Sequence, residues 1–122
     1  MIMNRMEDSL VKTLDEVMHF LENYTIAWHH WLLILSLLKL GGSGTKAQIL
    51  PVYKREGFSP HAIDKVFQMD LEDLGAAIEV EGGIKNLDEH STIYLTEDPN
   101  FRKFLKKNLR DVVRKFKTQT RD

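Results

Sequence analysis

The sequence predicts a mainly α-helical domain that carries one small β-hairpin, which is an α+β fold. Three observations lead to this prediction. Apolar residues recur at three- and four-residue steps through most of the chain, as they do in helices that pack on one face. Glycines and helix-capping residues divide these stretches. Two short strand-like runs, Ile78–Val80 and Thr92–Leu95, come after Gly75. They flank a loop that begins with Gly82-Gly83.

The first two predicted helices cover residues 8–24 and 25–40. The first carries a coiled-coil-like seam of alternating four- and three-residue steps, made of Leu10, Leu14, Val17, Leu21 and Tyr24. Because such a seam needs a partner, we predict that residues 1–24 hold a homodimer together, packed with the C-terminal helix. The second helix is apolar around much of its circumference and is interpreted as the central core helix. We expect at least one of Trp28 and Trp31 to be buried there.

A capping box predicts where the third helix begins. In this motif the Thr45 hydroxyl accepts a backbone N–H while the Gln48 side chain reaches back to the cap, so the helix should begin near Lys46. Pro51 lies inside this helix. Since proline removes a backbone hydrogen bond, we expect it to kink or shorten the helix.

A glycine turn separates the third helix from the fourth. Gly57 can adopt the left-handed conformation that closes a helix, and Ser59-Pro60 supplies an N-cap followed by a first-turn proline. The apolar face of the fourth helix consists of Ile63, Val66, Phe67, Leu71 and Leu74. The opposite face consists of His61, Asp64, Lys65, Gln68 and Glu72.

The last helix begins after a second cap-then-proline signal at Asp98-Pro99 and should reach about Lys117. Its charge contrasts with that of the hairpin region. Residues 70–101 carry a formal charge of −8 and residues 102–122 carry +7, although the whole chain carries only −1. The basic block either neutralises phosphates or is a solvated helix face.

Length and composition limit the number of domains, the cysteine chemistry and the membrane contacts that the chain can have. At 122 residues without a long linker, the chain is expected to form one domain, residues 1–122. The absence of cysteine excludes disulfides and thiolate chemistry, and it favours a cytoplasmic location. The longest apolar stretch, residues 26–40, contains two histidines and a lysine and is too short to cross a bilayer. We expect no membrane partner.

Residues 26–96 resemble the winged helix-turn-helix superfamily in the order of their elements: core helix, second helix, turn, recognition-type helix, and a wing that closes on Tyr94-Leu95-Thr96. The flanking helices resemble those of dimeric regulators of the multiple-antibiotic-resistance-regulator type. The resemblance implies a dimerising helix at 1–24, a winged-helix core at 25–97 and a basic C-terminal helix at 98–122. It also implies that the second helix of the turn motif lies in the major groove of double-stranded DNA. The implied contacts are Lys46, Lys54, Arg55, Ser59, His61, Lys65 and Gln68.

We therefore expect a sequence-specific DNA-binding transcriptional regulator that acts as a winged-helix homodimer. The alternative is an interaction module that docks another protein through its acidic wing or its basic C-terminal helix. The wing holds Glu79, Glu81, Asp88 and Glu89 against Lys85 alone, and DNA phosphates would repel it. The acidic wing favours the alternative, whereas the basic stretches favour the regulator.

We expect no enzyme activity, no cofactor and no metal site. Trp28-His29-His30-Trp31 holds two adjacent histidines, which diverge by about 100° on a helix, unlike the i, i+4 pair that binds zinc. We interpret this segment as a core aromatic cluster with partly buried imidazoles. Asp70, Glu72 and Asp73 lie at a helix end with no partner base and are interpreted as surface charge.

Overall fold

A computed structural model describes residues 13–23 and 28–120, without the side chains of Asn23, Trp28 and residues 115–120. The elements follow in the order α1 (Leu14–Asn23), α2 (Trp28–Lys39), β1 (Ser43–Thr45), α3 (Lys46–Arg55), α4 (Pro60–Asp73), β2 (Ile78–Val80), a short 3-10 helix (Ile84–Asn86), β3 (Thr92–Leu95) and α5 (Pro99–Thr120). The predicted α+β fold class is confirmed.

The sheet contains the predicted hairpin and one strand that the sequence did not reveal. β2 and β3 pair antiparallel, with Ile78 opposite Leu95. β1 also pairs antiparallel with β3, which gives the strand order β1-β3-β2. Gly44 on β1 lies opposite Ile93, and a Cβ atom there would meet the Leu40 side chain at 2.5 Å. Glycine at this position therefore leaves room for the Leu40 side chain beside β1.

The capping signals set the helix starts as predicted. The Gln48 N–H donates to the Thr45 hydroxyl at 3.3 Å, and the Gln48 side chain accepts from the Thr45 N–H at 2.9 Å. α3 consequently begins at Lys46. Of the two predicted effects of Pro51, a kink or a shortening, the shortening is not observed, because α3 continues past Pro51 to Arg55. We attribute this to the burial of apolar side chains from α3, which compensates for one lost backbone hydrogen bond.

The two predicted cap-then-proline signals also mark the observed helix starts. The Ser59 hydroxyl accepts from the Ala62 N–H at 3.2 Å, and α4 begins at Pro60. The Asp98 carboxylate accepts from the Asn100 N–H at 2.9 Å, and α5 begins at Pro99. α5 reaches Thr120, three residues beyond the predicted end.

The core forms around α2, as predicted for the central helix. Leu32, Leu33, Ile34 and Leu37 are all buried on it. Around them lie buried side chains from α4 and its C-cap, from β3 and from α5, namely Phe67, Leu71, Leu74, Ile93, Leu95, Phe101 and Leu105. Trp31 is 7% exposed and stacks on Phe104 with ring centroids 6.3 Å apart. The prediction of a buried tryptophan on this helix is therefore confirmed.

α1 buries the described part of its seam within one chain. The Thr13 hydroxyl accepts from the Glu16 N–H at 3.3 Å and caps this helix, which begins at Leu14. Residues 8–12 of the predicted helix lie outside the described residues. Val17 and Leu21 are buried, and α1 contacts α5. Leu10 and Tyr24 lie outside the described residues. The described part of the seam thus needs no second subunit to cover it.

No helix in the described ranges, 13–23 and 28–120, is long and apolar enough to cross a membrane.

We predict that Trp31→Ala lowers the free energy of unfolding by about 3–5 kcal/mol, because it leaves a large cavity between α2 and α5. Denaturant unfolding followed by circular dichroism measures this change. Met69→Ala is the matched control, since the Met69 side chain is 41% exposed and its truncation should cost no more than about 0.5 kcal/mol. Equal stabilities of the two variants would show that the packing of α2 is described incorrectly.

Candidate functional site

A buried carboxylate joins three helices at one end of the core. Asp70 on α4 has no exposed surface. Its Oδ1 atom lies 2.6 Å from Nδ1 of His29 on α2, and its Oδ2 atom accepts a hydrogen bond from the Tyr53 hydroxyl on α3 at 2.5 Å. A buried carboxylate is stable only when its oxygens are matched by donors or by positive charge. Asp70 therefore requires all three helices to be in place.

A second histidine and a second carboxylate extend this cluster toward the surface. Nε2 of His30 lies 2.9 Å from Oδ2 of Asp73 and 3.6 Å from Oδ1 of Asp70. The His30 side chain is 4% exposed and meets the Phe20 ring edge-on at 4.7 Å. The side chains of His29 and Asp73 are 24% and 28% exposed. We call the set His29, His30, Tyr53, Asp70 and Asp73 the Asp70 cluster.

Two predictions about these residues are wrong. Asp70 is not surface charge but a core residue, and Asp73 is paired with His30. The histidines also converge instead of diverging, with ring centroids 4.4 Å apart. They converge because His29 uses Nδ1, close to its backbone, whereas His30 uses the more distant Nε2. The predicted partial burial of the imidazoles is confirmed.

Burial holds the Tyr53 hydroxyl in its donor state. Removal from solvent raises the pKa of Tyr53 well above its ordinary value, and the adjacent Asp70 carboxylate raises it further. The phenol therefore stays protonated and donates to Asp70. Within the described part of the chain, every buried side-chain nitrogen and oxygen has a hydrogen-bond partner. The Asp70 cluster is therefore satisfied.

The predicted DNA-contact residues lie around the α3–α4 turn. His61, Lys65 and Gln68 are exposed along α4, whereas Phe67 and Leu71 of the same helix are buried. The remaining exposed members of the predicted set are Lys54, Arg55 and Ser59. The Ser59 hydroxyl also caps α4.

Lys46 differs from the other predicted contacts. It is half-buried, and its Nζ lies 3.3 Å from Oδ1 of Asp64 on α4. Asp64 is 68% exposed, so solvent screens this ion pair and it contributes little to stability. Lys46 nevertheless places a positive charge beside Asp64. In the N-terminal half of α4, Asp64 is the only exposed residue with an acidic side chain.

Carboxylates of the acidic wing accept hydrogen bonds from backbone N–H groups of the same hairpin. Oε1 of Glu81 accepts from the Thr92 N–H at 3.2 Å, and Oδ1 of Asp88 accepts from the His90 N–H at 2.8 Å. The latter bond lowers the pKa of Asp88. The Glu89 carbonyl accepts from the Ala47 N–H at 3.2 Å, which ties the wing loop to the first turn of α3. Glu79, Glu81 and Glu89 are exposed.

The basic block forms a helix face on α5. Exposed cations follow one side of the helix, opposite the buried Phe101 and Leu105, and they are Lys103, Lys106, Lys107, Arg110 and Arg114. Arg102 lies off this stripe and donates from Nε to the Thr96 carbonyl at 2.7 Å. Arg102 thus fastens the start of α5 to the end of β3.

Comparisons of the chain with models of protein families, with curated proteins and with solved structures found no match. The function must therefore be inferred from the residues and the geometry alone.

We predict that Tyr53→Phe lowers the free energy of unfolding by about 1–3 kcal/mol, because it removes a donor from a carboxylate that cannot reach water. Tyr94→Phe is the control. It makes the same chemical change on a side chain that is 42% exposed, so its stability should stay within about 0.5 kcal/mol of the parent chain. Thermal and denaturant unfolding measure both variants, and a Tyr53→Phe variant as stable as the parent would contradict the role given to Asp70.

Proposed function

We propose that the chain is a winged helix-turn-helix transcriptional regulator that binds double-stranded DNA with α4 as its recognition helix. The order of elements supports this proposal, since α2, α3, a glycine turn, α4 and the β2–β3 hairpin follow one another as the resemblance implies. Fold alone does not determine function, so the proposal rests on the surface of the α3–α4 pair.

The observation that carries the proposal is the exposed stripe on α4. His61, Lys65 and Gln68 occupy positions i, i+4 and i+7, so they share one face and span about 10 Å of helix. This length matches about three base pairs along a major groove. Gln68 can pair with both hydrogen-bonding groups of an adenine, and Lys65 can reach a guanine or a phosphate. Ser59 and His61 lie at the N-terminal end of α4, which approaches the base edges most closely in this docking mode.

Cations beside the stripe supply the phosphate contacts in this proposal. Lys54 and Arg55 are exposed in the last turn of α3, immediately before the glycine turn. Lys46 is held by Asp64 through an exposed ion pair, which a phosphate can replace at little cost. Such contacts position the protein on the duplex and do not discriminate between sequences.

We propose separately that the regulator is a homodimer joined through residues 1–24. A dimer would present two copies of α4 to half-sites one helical turn apart. Val17 and Leu21 contribute little to this interface, because both are buried within one chain. The proposal therefore rests on residues 1–12, which lie outside the described part, and sedimentation of the intact chain tests it independently of DNA binding.

The exposed carboxylates of the wing support a second candidate function, docking of a basic protein surface. Glu79, Glu81 and Glu89 are exposed there, and Lys85 is the one cation of the wing. The basic face of α5 offers a complementary surface for an acidic partner. This candidate would replace the regulator if duplex DNA does not bind.

We predict that Lys65→Ala and Gln68→Ala each weaken binding to the preferred DNA sequence by about 1–3 kcal/mol, with less discrimination at one base pair. Lys54→Ala and Arg55→Ala should weaken binding to all DNA sequences alike. Each should also reduce the slope of log affinity against log salt by about 1. Fluorescence anisotropy on a selected duplex and a scrambled duplex, over a range of salt concentrations, measures both effects.

Lys39→Ala is the matched control, because Lys39 is an exposed lysine at the end of α2, outside the α3–α4 pair. It should leave both affinity and salt slope unchanged. Two outcomes would refute the regulator: no salt-dependent binding of the parent chain at about 50 mM salt, or equal losses for all five variants. Glu81→Lys with Glu89→Lys should strengthen DNA binding if the wing approaches the backbone, and should abolish capture of a basic partner if the second candidate is correct.

A further inference from the structure

We propose that His29, His30, Asp70 and Asp73 form a binding site for one divalent transition-metal ion of the zinc class. One ligand atom each from His29, His30 and Asp70 lies within 4.8 Å of the other two. The fourth, Oδ2 of Asp73, lies 2.9 Å from Nε2 of His30. The donors come from one turn of α2 and from the last turn of α4, so a bound ion would join the core helix to the proposed recognition helix.

Three of the six distances among these four atoms lie on either side of the separation expected in a tetrahedral zinc site. Zinc bonds to histidine nitrogen and carboxylate oxygen are about 2.0–2.1 Å long, so the ligand atoms around the ion lie about 3.3 Å apart. Nε2 of His30 lies 3.6 Å from Oδ1 of Asp70 and 2.9 Å from Oδ2 of Asp73. Nδ1 of His29 lies 2.6 Å from Oδ1 of Asp70 and must move outward by less than an ångström.

The charge and chemical type of the ligands also favour a zinc-class ion. Two carboxylates and two neutral imidazoles around a divalent cation form a set with no net charge. A bound ion would therefore bring no uncompensated charge into the partly buried site. Imidazole nitrogen selects zinc and its neighbours in the transition series, whereas magnesium and calcium prefer an all-oxygen environment.

The surroundings of the site provide a supporting hydrogen bond and a path of entry. Tyr53 donates to Oδ2 of Asp70 and thereby orients Oδ1 toward the histidines. Hydrogen bonds of this kind fix the orientation of a ligating carboxylate. His29 and Asp73 are each about a quarter exposed, so an ion can enter from solvent beside them. This proposal differs from the expectation of no metal, which rested on histidines that diverge.

The test is titration of zinc chloride into the metal-free full-length chain, followed by isothermal calorimetry and by the unfolding temperature. We expect one zinc ion per chain and a higher unfolding temperature with metal. Cobalt(II) should give the visible absorption of a tetrahedral complex. Asp73→Asn and His29→Gln should each abolish saturable binding. Tyr53→Phe should weaken it by about 10–100-fold, because it removes only the supporting hydrogen bond.

His90→Asn is the matched control, since His90 is an exposed histidine on the wing loop, and it should bind zinc as the parent chain does. Asp73→Asn keeps the size of the side chain at a partly exposed position, so far-UV circular dichroism should show an unchanged fold. The proposal is overturned if the parent chain shows no saturable zinc binding in the micromolar range. It is also overturned if binding survives both ligand substitutions or depends on His90. None of these outcomes bears on DNA binding, so the two proposals are tested separately.

Discussion

The buried carboxylate of Asp70 is the constraint on which the arrangement of the helices depends. Asp70 has no contact with solvent, and its two oxygens are matched by His29 from α2 and Tyr53 from α3. An unmatched charge at this depth would cost several kcal/mol, which is a large part of the stability of a small domain. Because each donor comes from a different helix, the matching of one group fixes the relative positions of three.

This constraint also determines which side of α4 reaches the surface. Asp70, Phe67 and Leu71 lie on the inner side, so Lys65 and Gln68 must lie on the outer side. Each residue turns a helix by about 100°, and a rotation by a single residue would withdraw Asp70 from its donors. The interior polar contacts therefore hold the exposed stripe in one orientation before any partner arrives. Binding to DNA would then require little reordering of α4, which favours affinity.

Local capping signals predicted where α3, α4 and α5 begin, whereas long-range contacts were not predictable. Thr45, Ser59 and Asp98 cap the helices that they were predicted to cap. β1 was missed because Ser43-Gly44-Thr45 is short, contains a glycine, which is depleted in strands, and forms a strand through its pairing with β3. Asp70 lies at helical spacing between Phe67 and Leu74, so its burial could have been inferred from the sequence. Its partners could not, since His29 and Tyr53 are 41 and 17 residues away.

A double-mutant cycle on Tyr53 and Asp70 tests the central constraint most directly. It compares the unfolding free energies of the parent chain, Tyr53→Phe, Asp70→Asn and the double variant. If Asp70 depends on its donors as described, the double variant is more stable than the sum of the single losses predicts, with a coupling energy of at least about 1 kcal/mol. Losses that add to within about 0.5 kcal/mol would show that the two groups act independently and that Asp70 does not join the helices.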